Sequence, residues 1–115
     1  MSLLNKKFEI LLPYVNSVLA LLSKKWILNI IISINDGNHH FLDIQRDLVG
    51  ISSNTLTKNL KELEANMLIE RKCRKGESSE YYATKYLKSL NFLLVELSSW
   101  GKNHEKKLSS LSDKV

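Results

Sequence analysis

Between Phe41 and Tyr82 the chain sets out an apolar helical pattern, a short corner, a second helical pattern with a polar side, and a basic alternating ribbon. Few folds accept that order. Phe41, Ile44 and Leu48 recur at helical spacing, Val49-Gly50-Ile51 interrupts the period, and Ser52 then offers a side-chain oxygen as an N-cap. In the segment that follows, Leu56, Leu60, Leu63 and Met67 fall on one stripe, while Ser53, Asn54, Thr57, Lys58 and Lys61 lie elsewhere and are rich in side-chain donors. Residues 68–74 read as a strand, Lys75-Gly76-Glu77-Ser78-Ser79 as a turn, and Glu80-Tyr81-Tyr82-Ala83 as the returning strand.

The flanks extend this pattern. Pro13 can open a helix, because its missing N–H would be unsatisfied in the first turn anyway, and Val15, Val18, Leu19 and Leu22 then form an apolar stripe over residues 13–22. Ser23 can cap the next segment, in which Ile27, Ile30, Ile31 and Ile34 keep helical spacing until Asn35-Asp36-Gly37-Asn38 stops it. Five isoleucines between positions 27 and 34 would also suit a buried strand; the length and the stop signal favour a helix. Thr84 is a candidate N-cap for a long final helix over residues 84–111, with Leu87, Leu90, Leu94, Leu97, Trp100, His104, Leu108 and Leu111 at steps of three and four. The expected architecture is mainly α with a small β-hairpin (α+β): a winged helix-turn-helix in one domain over residues 1–115, with the helix-turn-helix at 41–67 and the wing at 68–83.

A fold of this kind points to DNA. Major-groove readout needs an element as wide as an α-helix carrying short polar residues and cations near its N-terminal half, and Ser52 to Lys61 supplies one. Ser52, Ser53, Asn54 and Thr57 can serve bases or phosphates, Lys58 can reach guanine edges or the backbone, and Lys61 suits phosphate. At the wing, Arg71, Lys72, Arg74 and Lys75 place four cations within five residues. Strand alternation puts Lys72 and Arg74 on one side and Ile69, Arg71 and Cys73 on the core side, Arg71 with only its stem buried, and makes Cys73 a small buried hydrophobe rather than a sensor thiol. Any solvated amphipathic helix can present a polar face; its place between the corner and the basic hairpin is what argues for DNA.

Composition agrees. Seventeen Lys and Arg against twelve Asp and Glu leave a net charge of +5, which favours a polyanionic partner. Catalysis is not expected: there is no nucleophile with its base in a motif, no phosphate-cradling glycine loop and no spaced carboxylate pair. One cysteine and three histidines offer no zinc cluster, and no metal or cofactor is expected. His39 and His40 read as a solvated helix entry. No leader or membrane span interrupts the pattern, so a cytoplasmic protein is expected.

With those residues in view, the chain resembles the HxlR family of winged-helix transcriptional regulators, related in fold to the MarR group. Lys25-Trp26 before an aliphatic helix, Asp36-Gly37, and Phe41 with Leu48 carry the first part of the resemblance. Ile51-Ser52, Leu56-Thr57, Leu60, Leu63-Glu64 and Leu68-Ile69-Glu70-Arg71 carry the second, and Glu80-Tyr81, Thr84 and Trp100-Gly101 the third. The resemblance spans Pro13 to His104 and implies a homodimer, paired through the N- and C-terminal helices, on a pseudo-palindromic operator in double-stranded DNA. The leucine stripe independently makes dimerisation plausible, with Leu90, Leu94, Leu97 and Trp100 as the dimerisation residues, because an uncovered apolar face of that length would be an exposed patch. A small-molecule effector, which the residues do not identify, could lodge beside the dimer helices. Two positions depart from the family: Leu12 stands where many members carry a sensing cysteine before the proline, and Leu87 replaces a usual glycine. The alternative is a winged-helix protein-interaction module whose DNA affinity is small and sequence-blind.

Overall fold

The computed structural model describes residues 3–113, which form α1 (Leu3–Leu22), α2 (Ile27–Asn35), α3 (Phe41–Asp47), α4 (Ser53–Ala65), β1 (Ile69–Lys72), β2 (Glu80–Ala83) and α5 (Leu87–Asp113). This is the expected mainly α chain with a small hairpin. It divides after Ala83 into two units, described in turn.

In the first unit the isoleucine run is helical and forms the centre of the core. Ile27, Ile30, Ile31 and Ile34 are buried with Ile44 and Leu48 of the α3 segment, Ile51, Leu56, Leu60 and Leu63 of the α4 segment, and Leu68 and Ile69 at the hairpin entry. Burial from all these elements explains why β-branched residues tolerate a helix here: packing outweighs the fraction of a kcal/mol per residue that propensity costs, roughly 0.5. The stop at Asp36-Gly37 works through backbone geometry. Gly37 takes φ +105°, its N–H donates to Ile34 O at 3.0 Å, and the Asn38 N–H donates to Ser33 O at 3.1 Å, which closes the helix with a left-handed residue. Ser33, a buried polar residue, accepts from Asn38 Nδ2 at 3.2 Å.

Two of the expected boundaries differ. The first helix begins at Leu3, so Pro13 sits inside it rather than at its start. Apolar positions at Phe8, Leu11 and Leu12 continue the stripe of Val15, Val18 and Leu19 upstream, and a helix with a stripe that long runs through a proline despite the lost N–H donor. Ser23 does not cap α2: its N–H donates to Leu19 O at 2.9 Å as the last turn of α1, and Trp26 precedes α2 with no side-chain cap.

The corner between α3 and α4 follows the sequence closely. Leu48 N–H donates to Ile44 O at 3.0 Å, Gly50 adopts φ +95°, and Ile51 N–H returns to Leu48 O at 3.1 Å. Met67 departs from expectation. It is exposed rather than on the apolar stripe, with φ 61°, because α4 ends at Ala65 and Met67 takes the left-handed position of a Schellman close. Its N–H donates to Glu64 O at 2.9 Å and the Leu68 N–H to Leu63 O at 3.0 Å, bringing buried Leu68 onto buried Leu63.

The hairpin is shorter than the alternation suggested. β1 and β2 pair antiparallel with Ile69 opposite Ala83, Glu70 opposite Tyr82, Arg71 opposite Tyr81 and Lys72 opposite Glu80, so residues 73–79 form the connecting loop. Cys73 therefore lies outside the strand and is exposed, not buried in the core. His39 and His40 are not merely a solvated entry either. His40 bridges Glu80 as a third, one-residue strand; Tyr81 N–H donates to His39 O at 2.7 Å, and His39 Nδ1 is 2.9 Å from Tyr81 O, which as a carbonyl can only accept and so fixes the proton on Nδ1.

The second unit is α5, preceded by a turn in which Thr84 Oγ1 accepts from the Leu87 N–H at 3.2 Å, the bond expected of an N-cap. At 27 residues the helix is about 40 Å long. Leu97, Trp100, Leu108 and Leu111 are exposed on it, Leu90 and Leu94 half-buried, and Trp100 stacks on His104 with ring centroids 4.7 Å apart. No single helix among the described residues is long and apolar enough to cross a membrane.

Candidate nucleic-acid interface

The N-terminus of α4 is built by short polar side chains. Ser52, in extended conformation, accepts the Thr55 N–H on Oγ at 3.1 Å and donates its own hydroxyl to Thr55 Oγ1 at 2.8 Å. Its proton and one lone pair are thus used inside the helix, which makes Ser52 first a cap. Ser53 Oγ lies 3.0 Å from Gln45 Nε2 of α3. Asn54, Thr57, Lys58 and Lys61 are exposed, opposite buried Leu56, Leu60 and Leu63. At 100° per residue, Ser53, Thr57 and Lys61 form one row along the helix, with Asn54 and Lys58 in the adjacent row. Side chains expected to read DNA therefore share one solvent-facing surface, with Lys58 near the middle of the helix and Lys61 one turn further on.

The hairpin register decides which cations join them. Paired residues share a face, so Arg71 and Tyr81 stand on one side of the ribbon and Glu70, Lys72, Glu80 and Tyr82 on the other. Thr57, Leu60, Lys61 and Glu64 of α4 line a groove of about 310 Å³ together with Arg71 and Tyr81. Arg71 was expected on the core side with its stem buried; the face it shares with Ile69 opens instead along α4, and Arg71 is exposed there. It spends one of its N–H groups on Ser79 Oγ, at 2.8 Å. Sequence reasoning counted Arg71 among the wing cations but turned it toward the core, so it did not place Arg71 beside the polar face of α4.

Lys72 lies with its Nζ 4.8 Å from the centre of the Tyr82 ring, on the other face of the ribbon. Arg74 and Lys75 are exposed in the loop, beyond the strand. Tyr82 also stacks on His39, with centroids 4.2 Å apart, and donates to Glu80 Oε2 at 2.8 Å. That hydrogen bond, then burial and the Glu80 charge, raise the Tyr82 phenol above its ordinary pKa of 10.0, with Arg74 opposing. The second face is thus a structural brace, in which His40 Nε2 lies 3.5 Å from Glu80 Oε1. One turn beyond Lys58 on the same row of α4, Glu62 pairs with Lys24 and anchors the helix to the segment before α2.

Among the described residues no group of three or more His, Cys, Asp and Glu side chains could hold a metal ion. What the surface offers is a rod of donors and ammonium groups bordered by an arginine. Comparison with known proteins supplies the family. Residues 21–109 match the family described as HxlR-like helix-turn-helix. YvaP of Bacillus subtilis, an uncharacterized HTH-type transcriptional regulator, is 30% identical over 90 residues, 76% of this chain and 83% of that protein. The reduced form of the transcriptional regulator YodB from B. subtilis is 32% identical with a TM-score of 0.69, covering 76% of this chain and 88% of its own. A MarR-family regulator structure from Enterococcus faecalis V583 superposes with a TM-score of 0.77 at 26% identity, over 84% of this chain and 90% of that one. The chain belongs to the HxlR-like helix-turn-helix family and is a transcriptional regulator on a winged-helix fold.

Proposed function

We propose that this regulator binds a pseudo-palindromic operator in double-stranded DNA as a homodimer, each copy laying α4 in the major groove and its hairpin along the flanking phosphates. The observation that carries the reading is the row of exposed Ser53, Thr57 and Lys61 beside Asn54 and Lys58, bordered by Arg71 across the groove. Direct readout asks for this combination of short polar groups near a helix N-terminus with cations beyond it. Arg74 and Lys75 on the loop suit sequence-blind phosphate contact, and Lys72 contributes less, because its ammonium is engaged over Tyr82.

The dimer is supported by apolar surface that one copy leaves open. Trp100 is 67% exposed and Leu97, Leu108 and Leu111 are about half exposed along α5, while α1 exposes Phe8, Leu12, Val15 and Leu19. A stripe of that length is unusual on a solvated monomer, and a two-fold pairing covers it with itself, with Leu90, Leu94, Leu97 and Trp100 in the contact. Such a regulator works where DNA is, in the cytoplasm, and uses no catalysis. The test is an anisotropy titration on duplex DNA across salt, paired with sedimentation. A dimer whose affinity falls steeply with salt supports the reading, and Trp100→Glu should yield a folded monomer that binds far more weakly. A stable wild-type monomer, or a dimer indifferent to DNA at low salt, contradicts it.

A further inference from the structure

Ser53 is the first residue of α4, and its hydroxyl is oriented by a side chain from α3. Gln45 Nε2 lies 3.0 Å from Ser53 Oγ and 3.4 Å from the Ile51 carbonyl oxygen. A hydroxyl can donate or accept, but a carbonyl only accepts, so the contact with Ile51 identifies the Gln45 atom as the NH2 group. The same NH2 group then donates to Ser53 Oγ. With one lone pair of its oxygen taken by that bond, the Ser53 hydroxyl proton is kept off Gln45 and left to the remaining positions, on an exposed residue in the first turn of the reading helix.

We infer that Gln45 is a specificity-positioning residue: it holds Ser53 as a hydrogen-bond donor toward DNA, so that Ser53 selects a base presenting an acceptor in the major groove. Guanine O6 or N7, adenine N7 and thymine O4 satisfy a donor, whereas the cytosine amino group does not. The neighbouring Ser52 hydroxyl cannot take this role, because its proton goes to Thr55 Oγ1. The inference rests on the proposed DNA-reading function and adds which way one hydroxyl points and what sets it. Gln45 itself is half-buried in the corner and need not touch DNA.

The experiment is selection of bound duplexes from a random pool with the wild-type chain, Ser53→Ala, Gln45→Met and Gln45→Glu, each first checked for an intact thermal transition. In the wild type one position per half-site should favour an acceptor-bearing base by about fivefold to tenfold, the worth of one hydrogen bond. Ser53→Ala and Gln45→Met should flatten the preference at that position alone, leaving the other positions and the salt dependence unchanged. Gln45→Glu should reverse it toward cytosine, since a carboxylate accepts the Ser53 proton and leaves a lone pair facing outward. A purely structural Gln45 would lower affinity for all sequences equally, and that result, or an unchanged preference in folded Gln45→Met, overturns the inference. Failure of the wild-type chain to select any sequence is a separate outcome, which removes the DNA-reading function and this inference with it.

Discussion

Arg71 faces Tyr81 across the hairpin, and both line the groove shared with Thr57 and Lys61 of α4, whereas Lys72, one residue on, lies over the Tyr82 ring on the opposite face. One residue of strand alternation thus separates a cation in the groove beside α4 from a cation in the brace. Arg71→Ala is expected to weaken all DNA and lower the slope of log affinity against log salt by roughly 0.9, one phosphate's worth. Lys72→Ala is expected to change that slope much less, and salt-titrated anisotropy on one duplex compares the two.

Lys58 and Arg74 should separate specific from sequence-blind binding. Lys58 is exposed on α4 beside Asn54, and Lys58→Ala should cost about 1–3 kcal/mol on the operator with little change on unrelated DNA. Arg74 lies in the hairpin loop, and Arg74→Ala should weaken operator and unrelated DNA alike while flattening the salt dependence. Competition titrations with the two duplexes measure both.

The two ends of α4 offer opposite stability changes. Ser52→Ala removes the acceptor for the Thr55 N–H and should destabilise by about 1 kcal/mol. Met67 holds φ 61° with its side chain exposed, so Met67→Gly relieves left-handed strain without emptying the core and should stabilise by about 1 kcal/mol. Denaturant unfolding at constant slope reads both changes.

At alkaline pH the Tyr82–Glu80 bond should weaken in a defined direction. The folded phenol titrates above the ordinary value of 10.0, chiefly because it donates to Glu80. The folded state therefore prefers the protonated form, and the stability this gives is complete below the unfolded pKa and disappears as pH rises through the folded one. Wild type and Tyr82→Phe should differ most in melting temperature near neutral pH, and the gap should close above pH 10.

Much of the fold could be read from the sequence because its signals are local. Ser52 caps α4, Gly37 closes α2, Gly50 turns the corner and Thr84 accepts the Leu87 N–H, each through a bond within five residues along the chain. What escaped depends on pairing across longer stretches. The hairpin register, not alternation alone, ends β1 at Lys72 and leaves Cys73 exposed; the contact of His39 with Tyr81 joins residues 42 apart in sequence. Pro13 marked a helix start by its residue type, but apolar spacing upstream carries α1 through it. That the polar α4 residues share one exposed face was apparent from helical periodicity, whereas the place of Arg71 beside them and the Gln45 contact with Ser53 required knowing which faces meet.

Selection of duplex DNA from a random pool by the intact chain tests the central claim most directly, that the polar face of α4, doubled by a second copy, reads sequence. The account expects an inverted repeat whose half-sites lie about 34 Å apart, one helical turn. A folded dimer that enriches no motif, or a single unrepeated site bound by a monomer, would contradict it.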